Sequence, residues 1–383
     1  MLNHICKCQN NSIHPENPDR LKIIWTKFND ENLINKCQLV KSRRAMREEL
    51  QTCHSKAYVD MYASSQHARE PLLYETFEQR FCRLPCGGVG VDNDTIWNDQ
   101  HTVNAARIAA GCVIELSYKV AIGELKNGFA LVRPPGHHAE DTQAMGFCYF
   151  NSVGVATKLL LDKLNMKRIL IVDWDVHHGN STQQIFYADP RVLYISLHRY
   201  DNGNFFPGTG DANECGIDKG CGFNINIGWF EIPMSDAEYL AAFRCIVMPI
   251  ARQFNPELVM VSAGFDAAAG HATPLGGYSL SPQCFGHMTQ QLMSLANGKV
   301  VLALEGGYEL LPLAESCVSC LKALVGMPLK PISPEELCRP PCQQAIKVLD
   351  MTINIQGVYW PCLAEFKESI SKSQIEAEQG GIN

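Results

Sequence analysis

Two kinds of segment alternate through the middle of the chain. Short runs of β-branched and aliphatic residues at 129–132, 169–172, 192–197, 258–262 and 300–304 are apolar at successive positions. Such runs bury both faces and predict strands of a parallel sheet. Between them, 151–165, 236–253 and 282–297 carry apolar residues at helical spacing. The alternation predicts a single three-layer α/β/α domain with a mostly parallel sheet. Each run ends in a polar loop: RPPGHH, DWDVHHGN, HRYDNG, AGFDAAAGH and EGGY. In open parallel sheets ligands bind outside the carboxyl ends of the strands, so five polar loops on that side mark the expected active site. Residues 1–125 read as helices and loops wrapped around the sheet. The domain is expected to span 1–325. The proline-rich 331–341 and charged 366–379 make 326–383 a C-terminal extension, partly helical or disordered.

Composition narrows the class. At 383 residues and 46% hydrophobic, the chain can bury a large core as one unit. A net charge of −7 with no basic block argues against direct nucleic-acid binding. No run approaches the ~18 apolar residues of a membrane span, and MLNHICKCQN lacks the apolar centre of a signal peptide. The 17 cysteines therefore read as reduced thiols of a nuclear or cytosolic protein. Most are expected to be small core residues, and some metal ligands.

DWDVHHGN carries the chemistry. Asp175 and His177 are two apart, so in extended backbone they project from one face. Asp266, after another strand, is the best third ligand. An Asp–His–Asp set suits a catalytic Zn²⁺, with a coordination position left open. Any one of these residues alone is more often a loop or capping residue; the cluster is what signals a metal. His137 and His138 in RPPGHHAE supply a histidine pair for moving protons at such a metal, histidine being the side chain that titrates nearest neutrality. A second metal site or a structural turn is the plainer alternative for that pair. In LEGGY, two glycines let the backbone approach closely and bring Tyr308 inward, where a phenol can stabilise an oxyanion. Alone, that tyrosine would read as packing on a glycine turn.

Taken together, RPPGHHAE, GFCYFNSV, ILIVDWDVHHGN, SLHRYDNGNFFPGTG, SAGFDA, PLGGY and LALEGGY resemble, in order and spacing, the zinc-dependent histone deacetylases. The likeness covers about 1–325 and is greatest for class IIa. It implies an arginase/deacetylase-like fold hydrolysing N6-acetyl-lysine in proteins, with Asp175, His177 and Asp266 on the catalytic zinc. His137 and His138 match the catalytic pair, backed by Asp173 and Asn180, with Tyr308 the catalytic tyrosine. Asp94, Phe147, Phe206, Leu275 and Gly307 fall at substrate-binding positions. Potassium is implied at Asp173, Ser196 and Leu197 with the backbone of Asp175 and His177. Cys6, Cys8, His14 and Cys86 resemble the class IIa structural zinc site, His4 being an alternative ligand. The resemblance also implies corepressor partners, a part in transcriptional repression, and residence in nucleus and cytoplasm.

Two departures stand out. Class IIa members carry HPEH where this chain has HPEN, with Asn17. Vertebrate class IIa members carry histidine where this chain has Tyr308, as in the active class I and IIb enzymes. The chain is thus either an active relative or one in which that residue has been exchanged. A weakly active acetyl-lysine reader or corepressor scaffold is the competing reading, and Tyr308 argues against it, since a reader needs no oxyanion donor. An arginase-type enzyme would need more carboxylate ligands than DWDVHH and GFDA supply.

Overall fold

The computed structural model describes residues 1–63, 81–230 and 233–381; 64–80, part of the expected wrapping segment, lie outside the described residues. Three two-residue strands, β1 (Cys82–Arg83), β2 (Val89–Gly90) and β3 (Ile96–Trp97), form a small antiparallel sheet. The main sheet comprises β4 (Gly128–Ala130), β5 (Ile169–Asp173), β6 (Val192–Arg199), β7 (Asn224–Trp229), β8 (Leu258–Ala263) and β9 (Val300–Leu304). Its order is β4-β9-β8-β5-β6-β7, and all neighbours are parallel.

The three layers follow from the strand pattern. Leu170 and Val172 of β5 join one apolar cluster, and Ile169 and Ile171 the other. β8 splits the same way, Val259 and Val261 against Leu258 and Met260. One face is covered by the helices Thr102–Ala121 and Ser152–Lys163, the other by Asp19–Asp30, Pro282–Leu292 and Leu310–Leu324. A fully buried Leu or Ile on either face contributes roughly 1.5–3 kcal/mol, and truncating one such as Ile171 to Ala costs about 2–5 kcal/mol.

The pattern of 236–253 predicts one helix. It is interrupted by a π-helical turn at Phe243–Val247, just before Pro249, whose missing N–H and bulky ring break the regular ladder. The sixth strand, β7, escapes the apolar pattern because Asn224 and Asn226 alternate with its apolar residues. Both are buried, and both amides donate to Gln183 Oε1, at 2.8 and 2.9 Å. The segment after Gly326 is partly helical. The helix Gln343–Gln356 packs on β7 and buries Val348, Leu349 and Ile353 in the main cluster. Beyond it, Trp360 Nε1 donates to Gly222 O at 2.7 Å. Proline and charge obscure that amphipathic stripe in the sequence. Among the described residues no helix is long and apolar enough to cross a membrane.

Candidate active site and metal centres

Asp175 and His177 lie in a bend just after β5, not in extended backbone as their spacing suggested. They converge nonetheless with Asp266, because backbone donors fix the carboxylates of Asp175 and Asp266. His177 N–H donates to Asp175 Oδ1 at 2.9 Å, and Gly306 N–H to Asp175 Oδ2 at 2.8 Å. Val176 N–H donates to Asp266 Oδ1 at 2.8 Å, joining the turn after β8 to the turn after β5. His177 Nδ1 stands 3.0 Å from Asp175 Oδ1 and 3.1 Å from Asp266 Oδ2. One ligand atom from each of the three lies within 4.8 Å of the others. A Cβ at Gly264 would stand 2.0 Å from Asp175 Oδ2, so only glycine fits against that carboxylate.

Two buried carboxylates this close repel, and the electrostatics record it. Burial, then Asp175, raises Asp266 above the usual carboxylate range. Burial would lower His177, but Asp175 and Asp266 hold its imidazolium up to about 9. Such a set calls for a cation, and two carboxylates with one imidazole fit a divalent zinc with a position to spare. The donor set thus supports the metal read from the sequence.

The histidine pair is divided by its backing. His137 Nδ1 meets Asp173 Oδ2 at 3.0 Å, and His138 Nδ1 meets Asn180 Oδ1 at 2.8 Å. Burial lowers His137, yet Asp173 and then Asp175 outweigh it and hold the ring up to about 10. His138 is pushed well down by burial and by the neighbouring His137 and His177. The two rings are thus pushed in opposite directions, His137 toward its protonated form and His138 toward its neutral one. Asn180 Nδ2 itself donates to Glu140 Oε1 at 2.7 Å, which turns its carbonyl toward His138.

Tyr308 points inward. A Cβ at Gly306 would stand 2.4 Å from Asp266 Oδ2, 2.5 Å from Asp175 Oδ2 and 3.1 Å from the Tyr308 hydroxyl. The phenol therefore shares the space of the metal carboxylates, and glycine is what leaves that space open. Burial, then Asp266 and Asp175, keeps the hydroxyl protonated far above its ordinary range. Phe147 packs edge-on against Tyr308, centroids 5.5 Å apart, while Phe206 lies 5.0 Å from the His138 ring. Both rings thus pack against residues of the candidate site. Leu275 is half-buried in a loop whose neighbours Thr273 O and Gly276 O are held by Arg199 Nη1 at 3.0 and 3.2 Å. Gly307 presents its carbonyl to Arg20 Nε at 2.6 Å. Asp173, the last residue of β5, is the register partner of Ser196 within β6, with Leu197 next in β6. The residues implied for potassium are thus contiguous.

The second cluster is built by the small sheet that sequence reasoning missed. The turn between β1 and β2 presents Cys86, with Cys6 Sγ 3.6 Å from Cys86 Sγ and Cys8 Sγ 3.2 Å from His14 Nε2. All four have a ligand atom within 4.8 Å of one another, the donor set of a closed structural zinc site. His4 is not in this cluster, which corrects its reading as an alternative ligand. It is buried behind it, its Nδ1 3.0 Å from Thr102 Oγ1 and its Nε2 3.9 Å from Glu16 Oε2. Asn17, the departure in HPEN, donates to His14 O at 2.9 Å and accepts Asp19 N–H at 2.9 Å. It braces the backbone of a ligand and opens the helix Asp19–Asp30. The loop from β2 to β3 also carries Asp94, which lines a small cavity with His14 and Phe147, and Thr95 Oγ1 there accepts the Phe147 N–H at 2.9 Å.

Sequence reasoning missed the buried residues that hold the two catalytic loops. Glu305 Oε2 accepts Gly136 N–H at 2.6 Å and His137 N–H at 3.2 Å. Glu16 sits between Arg20, at 3.1 Å, and Arg133, at 2.6 Å. Arg20 continues to the carbonyls of Glu305 and Gly307. Glu305 and Arg133 stand within LEGGY and RPPGHH, so the motifs held the signal, but nothing in one sequence separates a structural from a reacting member.

The parallel α/β sheet thus brings to its carboxyl edge an Asp–His–Asp set that fits a metal, a histidine pair and an inward phenol, an arrangement suited to metal-assisted hydrolysis. Residues 14–324 match the Histone deacetylase domain family, and this chain belongs to that family. Human Histone deacetylase 7 is 54% identical over 371 residues, 95% of this chain, and human Histone deacetylase 9 is 53% identical over 366 residues, 94% of this chain. Histone deacetylase 4 of Caenorhabditis briggsae is 48% identical over 98% of this chain. These relatives bear out the class IIa likeness. The chain spans 39%, 36% and 43% of their respective lengths. The crystal structure of the HDA15 HD domain superposes with a TM-score of 0.81 at 38% identity, over 93% of this chain and 92% of that one.

Proposed function

We propose that this chain hydrolyses the acetyl amide of N6-acetyl-lysine in histones or other proteins. The observation that carries the reading is the Tyr308 hydroxyl beside Asp175 Oδ2 and Asp266 Oδ2, where an acetyl carbonyl would gather charge. Zinc bound by Asp175, His177 and Asp266 would supply Lewis-acid polarisation and a lowered pKa for water. The walls formed by Phe147 and Phe206 exclude bulk water and hold the aliphatic lysine stem. Neutral His138, its Nδ1–H committed to Asn180, offers its other nitrogen to take the proton of the attacking water. His137, held cationic by Asp173, steadies negative charge as it develops. Tyr308 donates its proton-bearing hydroxyl to the oxyanion. When the amide bond breaks, His138 returns the proton to the leaving lysine amine.

Potassium at Asp173, Ser196 and Leu197, and a second zinc at Cys6, Cys8, His14 and Cys86, complete the proposed cofactors. Asp94 would hold the substrate backbone, a role inferred from the family resemblance. We further infer corepressor partners, a part in transcriptional repression, and residence in nucleus and cytoplasm, on the strength of the family alone. The test is mass-spectrometric detection of the deacetylated peptide, and of acetate, formed from an acetyl-lysine peptide by the zinc-loaded protein. Turnover supports the reading; an intact zinc complement with no turnover on any acetyl-lysine peptide overturns it.

A further inference from the structure

Side chains hold the backbone of the Glu305–Glu309 turn, which aims Tyr308, at five points. Arg20 takes the carbonyls of Glu305 and Gly307, and Asp175 takes the Gly306 N–H. The two amides of the tyrosine end go to one side chain. His271 Nε2 lies 2.7 Å from Tyr308 N and 3.0 Å from Glu309 N. Its other nitrogen, Nδ1, lies 3.0 Å from the Ala268 carbonyl oxygen. A carbonyl can only accept, so Nδ1 carries the hydrogen and Nε2 offers its lone pair to both amides. The ring is buried, 5% exposed, and 6.4 Å from the Tyr308 ring, centroid to centroid. It does not share the metal carboxylates' cluster.

We infer that His271 is a positioning residue for the oxyanion donor: by accepting the Tyr308 and Glu309 N–H groups it holds the phenol turned toward the metal centre. Arg20 and Asp175 anchor only the first part of the turn. Without an acceptor at Nε2, two buried amides lose their partner and the turn can relax where Tyr308 departs from it. The hydroxyl would then spend less of its time near the carbonyl. The loss in rate is bounded above by the roughly 10²–10³-fold cost of removing such a donor outright.

The inference rests on the proposed role of Tyr308, and a double-mutant cycle keeps the two apart. His271→Ala, His271→Asn, Tyr308→Phe and the two double variants are assayed for kcat and KM on acetyl-lysine and trifluoroacetyl-lysine peptides, with zinc content and Tm measured on each. His271→Ala is expected to lower kcat on acetyl-lysine about 10- to 100-fold, with a smaller loss on trifluoroacetyl-lysine, whose electron-poor carbonyl depends less on the donor. His271→Asn, whose amide oxygen can accept one of the N–H groups, should recover part of that loss. In the Tyr308→Phe background neither change at 271 should lower kcat further. Multiplicative losses in the double variants would overturn the inference, because a general loosening of the fold adds to the loss of the hydroxyl. If Tyr308→Phe alone costs nothing, the oxyanion-donor reading itself has failed. If His271→Ala does not fold, the Asn variant carries the same cycle.

Discussion

Replacing Tyr308 with Phe is the most informative single change. The phenylalanine ring can keep the edge-on packing on Phe147 at 5.5 Å and the place beneath Arg20, whose guanidinium lies 5.1 Å from the ring centroid. What is lost is one hydroxyl, which would share with the metal the charge of the acetyl oxyanion. Removing such a donor costs roughly 10²–10³-fold in kcat, or about 2.7–4 kcal/mol. Tyr308→His should do as badly or worse on acetyl-lysine, because an imidazole ring is too short to set a donor where the phenol reaches. Trifluoroacetyl-lysine should suffer less in both variants, since its carbonyl is already electron-poor. Steady-state kinetics on the two peptides, with zinc content measured on the same samples, provide the assay. An equal loss on both substrates would mean a collapsed pocket. No loss on either would mean that Tyr308 only packs, and the reasoning from its position would fall.

The four-ligand N-terminal cluster predicts two zinc ions per intact chain; Cys86→Ser should leave about one by elemental analysis, and one in the intact protein would refute the second site. Asn180→Ala removes the acceptor of His138 Nδ1–H; acetyl-lysine turnover should fall at least about tenfold with zinc retained, and an unchanged rate would show that the ring needs no such orientation. Glu16→Ala leaves Arg20 and Arg133 buried without their carboxylate and should cost about 3–5 kcal/mol in denaturant unfolding; a change under about 1 kcal/mol would show that the network relaxes freely. Burial raises Glu16, but Arg133 and then Arg20 outweigh it and hold the carboxyl down at about 2. A depressed carboxyl contributes its stability above its unfolded value of about 4.3 and loses it as pH falls toward the folded value. The Tm should therefore drop between about pH 4.5 and 2 by less in Glu16→Gln than in the parent, and parallel curves would contradict this.

Much of the fold was legible because apolar strands on both faces leave a clear mark, and five such runs in the right rhythm define a parallel sheet. β7 was not, because Asn224 and Asn226 are buried by side-chain hydrogen bonds that no hydropathy pattern records. The C-terminal helix was obscured by the proline and charge around it. The candidate site residues could be listed because short motifs at the ends of strands and in the loops that follow them hold several of them together. The Asp–His–Asp convergence was anticipated for a partly wrong reason. It comes from backbone amides pinning the carboxylates in a bend, not from the alternation of an extended strand. His4 was misplaced because a sequence shows proximity along the chain and not that Thr102 and Glu16 claim the ring. Glu16 reaches Arg133 across 117 residues of sequence, His271 reaches Tyr308 across 37 and Glu305 reaches Gly136 across 169, and such contacts leave no local pattern.

The central claim, that Asp175, His177 and Asp266 hold a zinc on which acetyl-lysine hydrolysis depends, is tested most directly by Asp266→Asn. Turnover of an acetyl-lysine peptide and zinc stoichiometry are measured together in the variant and the parent. Losing one charged ligand of three should abolish turnover and lower zinc by about one ion per chain, with the N-terminal cluster still loaded. Full activity in a variant that has lost that zinc would contradict the account.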